Sequence, residues 1–85
     1  MNKARRKRLD SITGQIHHLQ NKLQEILNEE EEAMYNVPEN LQRSERYKAM
    51  EKAICDMDNA VSWLSDTVDT LDRIMEDQQW KIKKG

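Results

Sequence analysis

Two long segments with regularly spaced apolar residues constrain the fold of this chain more than any other feature of its sequence. Intervals of three and four residues are typical of a helix that buries one stripe of side chains against another helix. The first stripe consists of Leu9, Ile12, Ile16, Leu19, Leu23, Ile26 and Ala33, interrupted only by Glu30. The second consists of Tyr47, Met50, Ile54, Met57, Val61, Leu64, Val68, Leu71, Met75 and Ile82, with Gln78 polar. A strand would alternate every second residue, and no such alternation persists.

The segment Asn36–Glu39 separates the two helices. Proline disfavours helical backbone at the preceding residue but is tolerated in a first helical turn, so Pro38 indicates a stop and a restart. Asn36 is a candidate cap for a short turn, and Ser44 is a candidate cap for the second helix. The predicted boundaries are helix 1 at about 3–35, a connection at about 36–44 and helix 2 at about 45–81. These lengths predict a single all-α domain over 1–85, an antiparallel, coiled-coil-like helical hairpin.

Helix 2 carries a further stripe at the same spacing, roughly 110° around the helix from the first. Its members are Ala49, Ala53, Asp56, Ala60, Trp63, Thr67, Thr70 and Ile74. A hairpin with a single seam has little margin over the conformational entropy lost on folding. We therefore expect a homo-oligomeric helical bundle in which helix 2 contacts both helix 1 and another copy of the chain. The alternative is a monomer whose helix 1 twists over both stripes.

Length and composition exclude several classes of protein. A chain of 85 residues is too short for a dinucleotide-binding fold or most enzymes with a separate substrate lobe. The single cysteine, Cys55, allows no intrachain disulfide and fits a reducing compartment. His17 and His18 are adjacent, so on a helix they cannot hold one metal ion together. With no signal segment, no apolar stretch that could span a membrane and no catalytic motif, we expect a cytoplasmic, non-enzymatic protein without cofactor or metal.

Charge is distributed unevenly along helix 1. Its start is basic, with Lys3, Arg5, Arg6, Lys7 and Arg8, and Glu29–Glu32 form an acidic run near its end. The basic cluster has two interpretations: contact with nucleic acid or an anionic surface, or a solvated helix start partly neutralised by Asp72, Glu76 and Asp77 of helix 2. The net charge of -2 favours the second interpretation.

Five residues are candidate ligand contacts. They either belong to the further stripe of helix 2 or lie just before it in the chain: Gln42, Ser44, Arg46, Asp56 and Trp63. If that stripe lies between subunits, a buried arginine near an aromatic ring suits a phosphate or carboxylate joined to a stacked ring. The alternative is a salt bridge between Arg46 and Asp56 of different subunits.

The region around the connection also resembles a known group of proteins. After the acidic run and Tyr35, the chain carries Asn36, Pro38, Glu39, Leu41, Gln42, Ser44, Glu45 and Arg46, in the order N-x-P-E-x-L-Q-x-S-E-R. This pattern resembles small helical proteins encoded by phages and prophages of Gram-positive bacteria, over about residues 25–60. The resemblance implies a setting in the bacterial host cytoplasm rather than an activity.

Small phage-encoded helical oligomers often act against host defences, by blocking a host protein or by sequestering a nucleotide signal between subunits. The resemblance therefore gives the expectation of a non-catalytic counter-defence protein that binds a nucleotide-like molecule or a host defence protein. Two alternatives stay open: an accessory protein that binds nucleic acid through its basic N-terminus, and a purely structural coiled-coil scaffold.

Overall fold

The protein is a hairpin of two long helices. The computed structural model describes the backbone of residues 1–84 and the side chains of residues 1–76. Helix α1 spans Lys3–Tyr35, a short 3-10 turn spans Glu39–Leu41, and helix α2 spans Glu45–Lys84. The helices pack against each other in a rod that measures 66 × 15 × 14 Å. The predicted all-α hairpin is confirmed, and α2 ends at Lys84 rather than near residue 81.

Polar side chains mark the starts of both helices. The Oδ1 of Asn2 accepts a hydrogen bond from the backbone N–H of Arg5 at 2.8 Å, and the Oγ of Ser44 accepts one from the N–H of Tyr47 at 3.2 Å. These are N-caps, which satisfy backbone donors that have no partner inside the helix. Asn36 does not cap the short turn as predicted. Its N–H donates to the carbonyl oxygen of Glu32 at 3.1 Å and so closes α1 instead.

Helix α2 contributes its first predicted stripe to the seam between the helices. Every member from Tyr47 to Met75 is buried or half-buried, and Val68 is only 3% exposed. On the α1 side of the seam, the most buried side chain is that of Leu27, which is 1% exposed. This part of the sequence analysis is confirmed, while Gln78 and Ile82 lie outside the described side chains.

The seam of α1 differs from the prediction. Four residues that were assigned to this seam are exposed, namely Ile12, Leu19, Ile26 and Ala33. In each case the next residue along the chain is buried or half-buried instead: Thr13, Gln20, Leu27 and Met34. Combined with Leu9, Ile16 and Leu23, either the predicted or the observed set of residues follows intervals of three and four. The spacing shows that a stripe exists, but it does not decide which of two adjacent residues, 100° apart, points at α2.

Two polar residues in this seam, Thr13 and Gln20, have hydrogen-bond partners. The Oγ1 of Thr13 donates to the carbonyl oxygen of Leu9 at 3.0 Å, and the Nε2 of Gln20 donates to that of Val61 at 3.4 Å. Buried polar groups are normally paired in this way because an unpaired group loses its hydration without compensation. The chain thus accommodates a threonine and a glutamine inside the hairpin while apolar neighbours stay outside.

Candidate functional site

One long side of the rod, the apolar flank, carries the apolar residues that the seam leaves out. It consists of Ile12, Leu19, Ile26 and Ala33 of α1 and Ala49, Ala53, Asp56, Ala60, Trp63, Thr67, Thr70 and Ile74 of α2. Most of these residues are exposed, Leu19 by 58% and Trp63 by 67%. The hydroxyls of Thr67 and Thr70 donate to backbone carbonyls of their own helix, so their methyl groups remain for contact. These exposed apolar residues make the flank a candidate interaction surface.

Both helices place these residues on the same side because the helices run antiparallel. An approximate two-fold axis relates the two helices, so equivalent heptad positions turn to one flank. The α1 members recur every seven residues, as do Ala53, Ala60, Thr67 and Ile74 of α2. At the connection, Ala33 and Arg46, which hold equivalent positions, line one cavity together.

The opposite side of the rod, the polar flank, has a different composition. Its equivalent positions are Lys3, Asp10, His17, Gln24 and Glu31 of α1 and Glu51, Asp58, Ser65 and Asp72 of α2. All of these residues are polar and either exposed or half-buried. The hairpin as a whole is therefore amphipathic, with one flank suited to water and the other to a packing partner.

A cavity of about 470 Å³, here called the connection pocket, lies where the chain passes from α1 to α2. Its lining is largely apolar, and Ser44 and Arg46 are its polar side chains from the start of α2. Ser44 is half-buried because its hydroxyl caps α2, whereas Arg46 is exposed. Gln42 lines a neighbouring hollow instead, and its Nε2 donates to the carbonyl oxygen of Val37 at 3.4 Å.

The other two candidate ligand contacts lie along α2, away from the connection. At 1.5 Å per residue, Asp56 is about 15 Å and Trp63 about 26 Å from Arg46. A carboxylate oxygen of Asp56 accepts a hydrogen bond from the Nζ of Lys52 at 2.8 Å. That hydrogen bond and the negative charge of Asp56 raise the pKa of Lys52 above its usual value. Within one chain, the five candidates therefore do not form a single site.

The basic cluster surrounds the start of α1. Arg6 is half-buried beside Met75 at the seam, and its Nε is buried without a hydrogen-bond partner. The other members, Lys3, Arg5, Lys7 and Arg8, are exposed. Arg5 and Arg8 line a second cavity, of about 300 Å³, together with Ile12 of the apolar flank.

The expected neutralisation of this cluster by α2 is not formed within the described residues. The side-chain ion pairs there join Lys48 to Glu45 at 3.9 Å and Lys52 to Asp56 at 2.8 Å, both inside α2. No pair reaches Asp72 or Glu76, and Asp77 lies outside the described side chains. Successive residues point 100° apart around a helix, so few members of a consecutive basic run can face α2.

Residues 1–76 contain no group of three or more His, Cys, Asp or Glu side chains placed to hold a metal ion. His17, His18 and Cys55 are all exposed. Neither helix, as far as the structure describes it, has the length and apolar character that crossing a membrane requires.

Comparison with known proteins gives no match: no family model fits the sequence, and no curated protein or solved structure is similar to it.

Proposed function

We propose that this protein is a non-catalytic binding protein that works as a homo-oligomeric helical bundle. The observation that supports it is the apolar flank, which a lone hairpin leaves in water. Burying apolar surface contributes roughly 25 cal/mol per Å², so covering Leu19 and Trp63 favours association. The seam holds Thr13 and Gln20 while Ile12 and Leu19 lie outside, as expected if these apolar residues serve a second contact.

The connection pocket supports a class of ligand. A largely apolar lining with one arginine, the amide of Asn36 and the hydroxyls of Ser44 and Tyr47 suits a molecule that joins an anionic group to a ring, such as a nucleotide. Together with the resemblance of residues 25–60 to phage and prophage proteins, this leads to a specific proposal. The oligomer sequesters a nucleotide-like immune signal in the cytoplasm of a bacterial host. Blocking a host defence protein through exposed parts of the bundle is the alternative within the same proposal.

A thermal-shift screen with cyclic dinucleotides and ADP-ribose-type molecules tests the sequestration proposal. A ligand that binds only the folded form, at a hundred times its dissociation constant, adds about 2.7 kcal/mol of stability. We expect the shift in wild type and in Arg43→Ala, because Arg43 lies at the connection but outside the pocket. Arg46→Ala should lose it. If no nucleotide raises the melting temperature, sequestration is wrong and the blocking of a host protein remains.

Exposure of the basic cluster favours a second candidate function, binding of DNA or RNA. Arg5 and Arg8 project from the same end of the rod without an ion pair to α2. Each phosphate contact releases counterions, so the affinity should fall as the salt concentration rises. On duplex DNA, a plot of the logarithm of the affinity against the logarithm of the salt concentration should have a slope of about −0.9 per contact. Fluorescence anisotropy at about 50 mM salt should show weaker binding by the Arg5→Ala/Arg8→Ala variant. Equal binding by both proteins, or none by either, would argue against this function and leave the basic cluster as a feature that aids solubility.

A further inference from the structure

Charge changes sign along the apolar flank. The row of α1 that borders it carries Arg8, Gln15, Lys22 and Glu29, one residue per heptad. The two ends of the rod follow the same trend in net charge. Five bases outnumber Asp10, Asp72 and Glu76 at one end, and six glutamates outnumber Arg43, Arg46 and Lys48 around the connection. Any partner that covers the whole flank therefore meets a basic end and an acidic end.

Two copies can cover each other's flanks in two symmetric ways. A two-fold axis along the rod places α1 against α2 of the other copy and brings both basic ends together, which like charges oppose. A two-fold axis across the rod places α1 antiparallel to α1 of the other copy. The basic end of each copy then meets the acidic end of the other.

We propose that two copies dock head to tail through the apolar flank, with the two-fold axis near Leu19. This inference rests on the oligomer of the proposed function and adds its geometry. With the axis at Leu19, the two hairpins lie side by side over their full length, and the two Leu19 side chains face each other. This axis also places Ile12 at the level of Ile26 in the other copy, and Arg8 at the level of Glu30, next to Glu29. Apolar residues then meet apolar residues, and opposite charges lie at the same level.

The exposed surface area of the chain is large enough for a second copy to cover the apolar flank. The chain exposes 6897 Å², whereas a compact monomer of its mass exposes about 5,300 Å². The difference exceeds the roughly 800 Å² per partner that a standard-size interface covers. One side of the rod, 66 Å by 15 Å, offers a footprint of about 1,000 Å². A second hairpin of equal length matches that footprint from end to end.

Distances between identical spin labels test the orientation. In a Cys55→Ser background, a nitroxide is attached at Ala4→Cys, Ser11→Cys or His18→Cys, and pulsed electron paramagnetic resonance measures the distance between copies. These positions are exposed, lie away from both flanks and are one heptad apart. In head-to-tail docking, each heptad between the label and the midpoint of α1 adds about 21 Å to the axial distance between the two labels. Each copy contributes about 1.5 Å per residue, and both copies contribute. We expect the shortest distance at His18 and the longest at Ala4.

The other outcomes separate this inference from the proposed function. Equal distances at the three positions would overturn head-to-tail docking and leave the oligomer intact. A mass of one chain in sedimentation equilibrium at micromolar concentration would remove both. Leu19→Glu should abolish the distances without loss of helix, since Leu19 is exposed in the hairpin, whereas His17→Glu on the polar flank should preserve them. Preserved distances in Leu19→Glu would place the interface elsewhere and overturn the inference.

Discussion

Leu27 and Leu19 lie one heptad and one residue apart on α1, yet their surroundings are opposite. Leu27 is 1% exposed against α2, and Leu19 is 58% exposed on the apolar flank. Leu27→Ala should therefore lower the free energy of unfolding by about 2–5 kcal/mol at every protein concentration. Leu19→Ala should lower it mainly where copies associate, because association is what covers this side chain. Denaturant titrations at two protein concentrations measure both effects. If Leu19→Ala and Leu27→Ala lowered the free energy of unfolding equally at both concentrations, Leu19 would have to lie in the seam.

Asp56 forms an ion pair with Lys52 and raises the pKa of that lysine. Asp56→Asn should lower the pKa of Lys52 towards its usual value, because the charged hydrogen-bond acceptor is removed. Since the pKa of Lys52 is raised in the folded state, the stabilisation from this pair is complete below the usual lysine pKa. It is lost as the pH rises through the raised pKa. An NMR titration of the lysine side chains measures the shift, with Asp58→Asn as the matched control, and an unchanged Lys52 would show that the pair does not form in solution.

At the scale of the element, the start of α2 depends on one hydroxyl. Ser44→Ala should destabilise the protein by about 1 kcal/mol, because the N–H of Tyr47 loses its partner. Ser44→Asp should retain the cap, since a carboxylate accepts the same hydrogen bond. Thermal melts followed by circular dichroism measure both variants. Equal stability of Ser44→Ala and wild type would show that the hydroxyl does not cap α2.

The two helices differ in how well the sequence predicted their packing. The seam of α2 was predicted residue by residue up to Met75, because its large apolar residues fall mainly in one stripe, whereas the further stripe consists mostly of alanine, threonine and aspartate. On α1, apolar residues occupy two adjacent positions in two heptads, at Ile26 and Leu27 and at Ala33 and Met34. Ile12, Leu19 and Ile26 are spaced seven apart, and the residue after each of them, Thr13, Gln20 or Leu27, lies in the seam. That spacing was the signal that α1, like α2, has two faces.

At the scale of the whole molecule, the proposed head-to-tail docking would bring residues of both copies to the connection pocket. An axis near Leu19 places Arg5 of one copy at the level of Ala33, which lines the pocket of the other. If a nucleotide binds there, Arg5→Ala should weaken binding as Arg46→Ala does, because each removes a positive charge that faces the anion. Lys7→Ala, on the polar side of α1, should leave the affinity unchanged. Isothermal titration calorimetry compares the three variants, and equal losses for Arg5→Ala and Lys7→Ala would indicate only a general charge effect.

The sequence by itself determined the two helices, their antiparallel hairpin and the cap at Ser44. These depend on local rules: helical spacing, the restriction that Pro38 imposes, and a hydroxyl at a helix start. Only the tertiary structure decided that Leu27 faces α2 while Leu19 lies on the apolar flank. It also decided that Arg46 of α2 and Ala33 of α1 line one cavity at the connection. Which of two adjacent apolar residues is buried depends on how one helix is rotated against the other, and that rotation is set by side chains distant in the sequence.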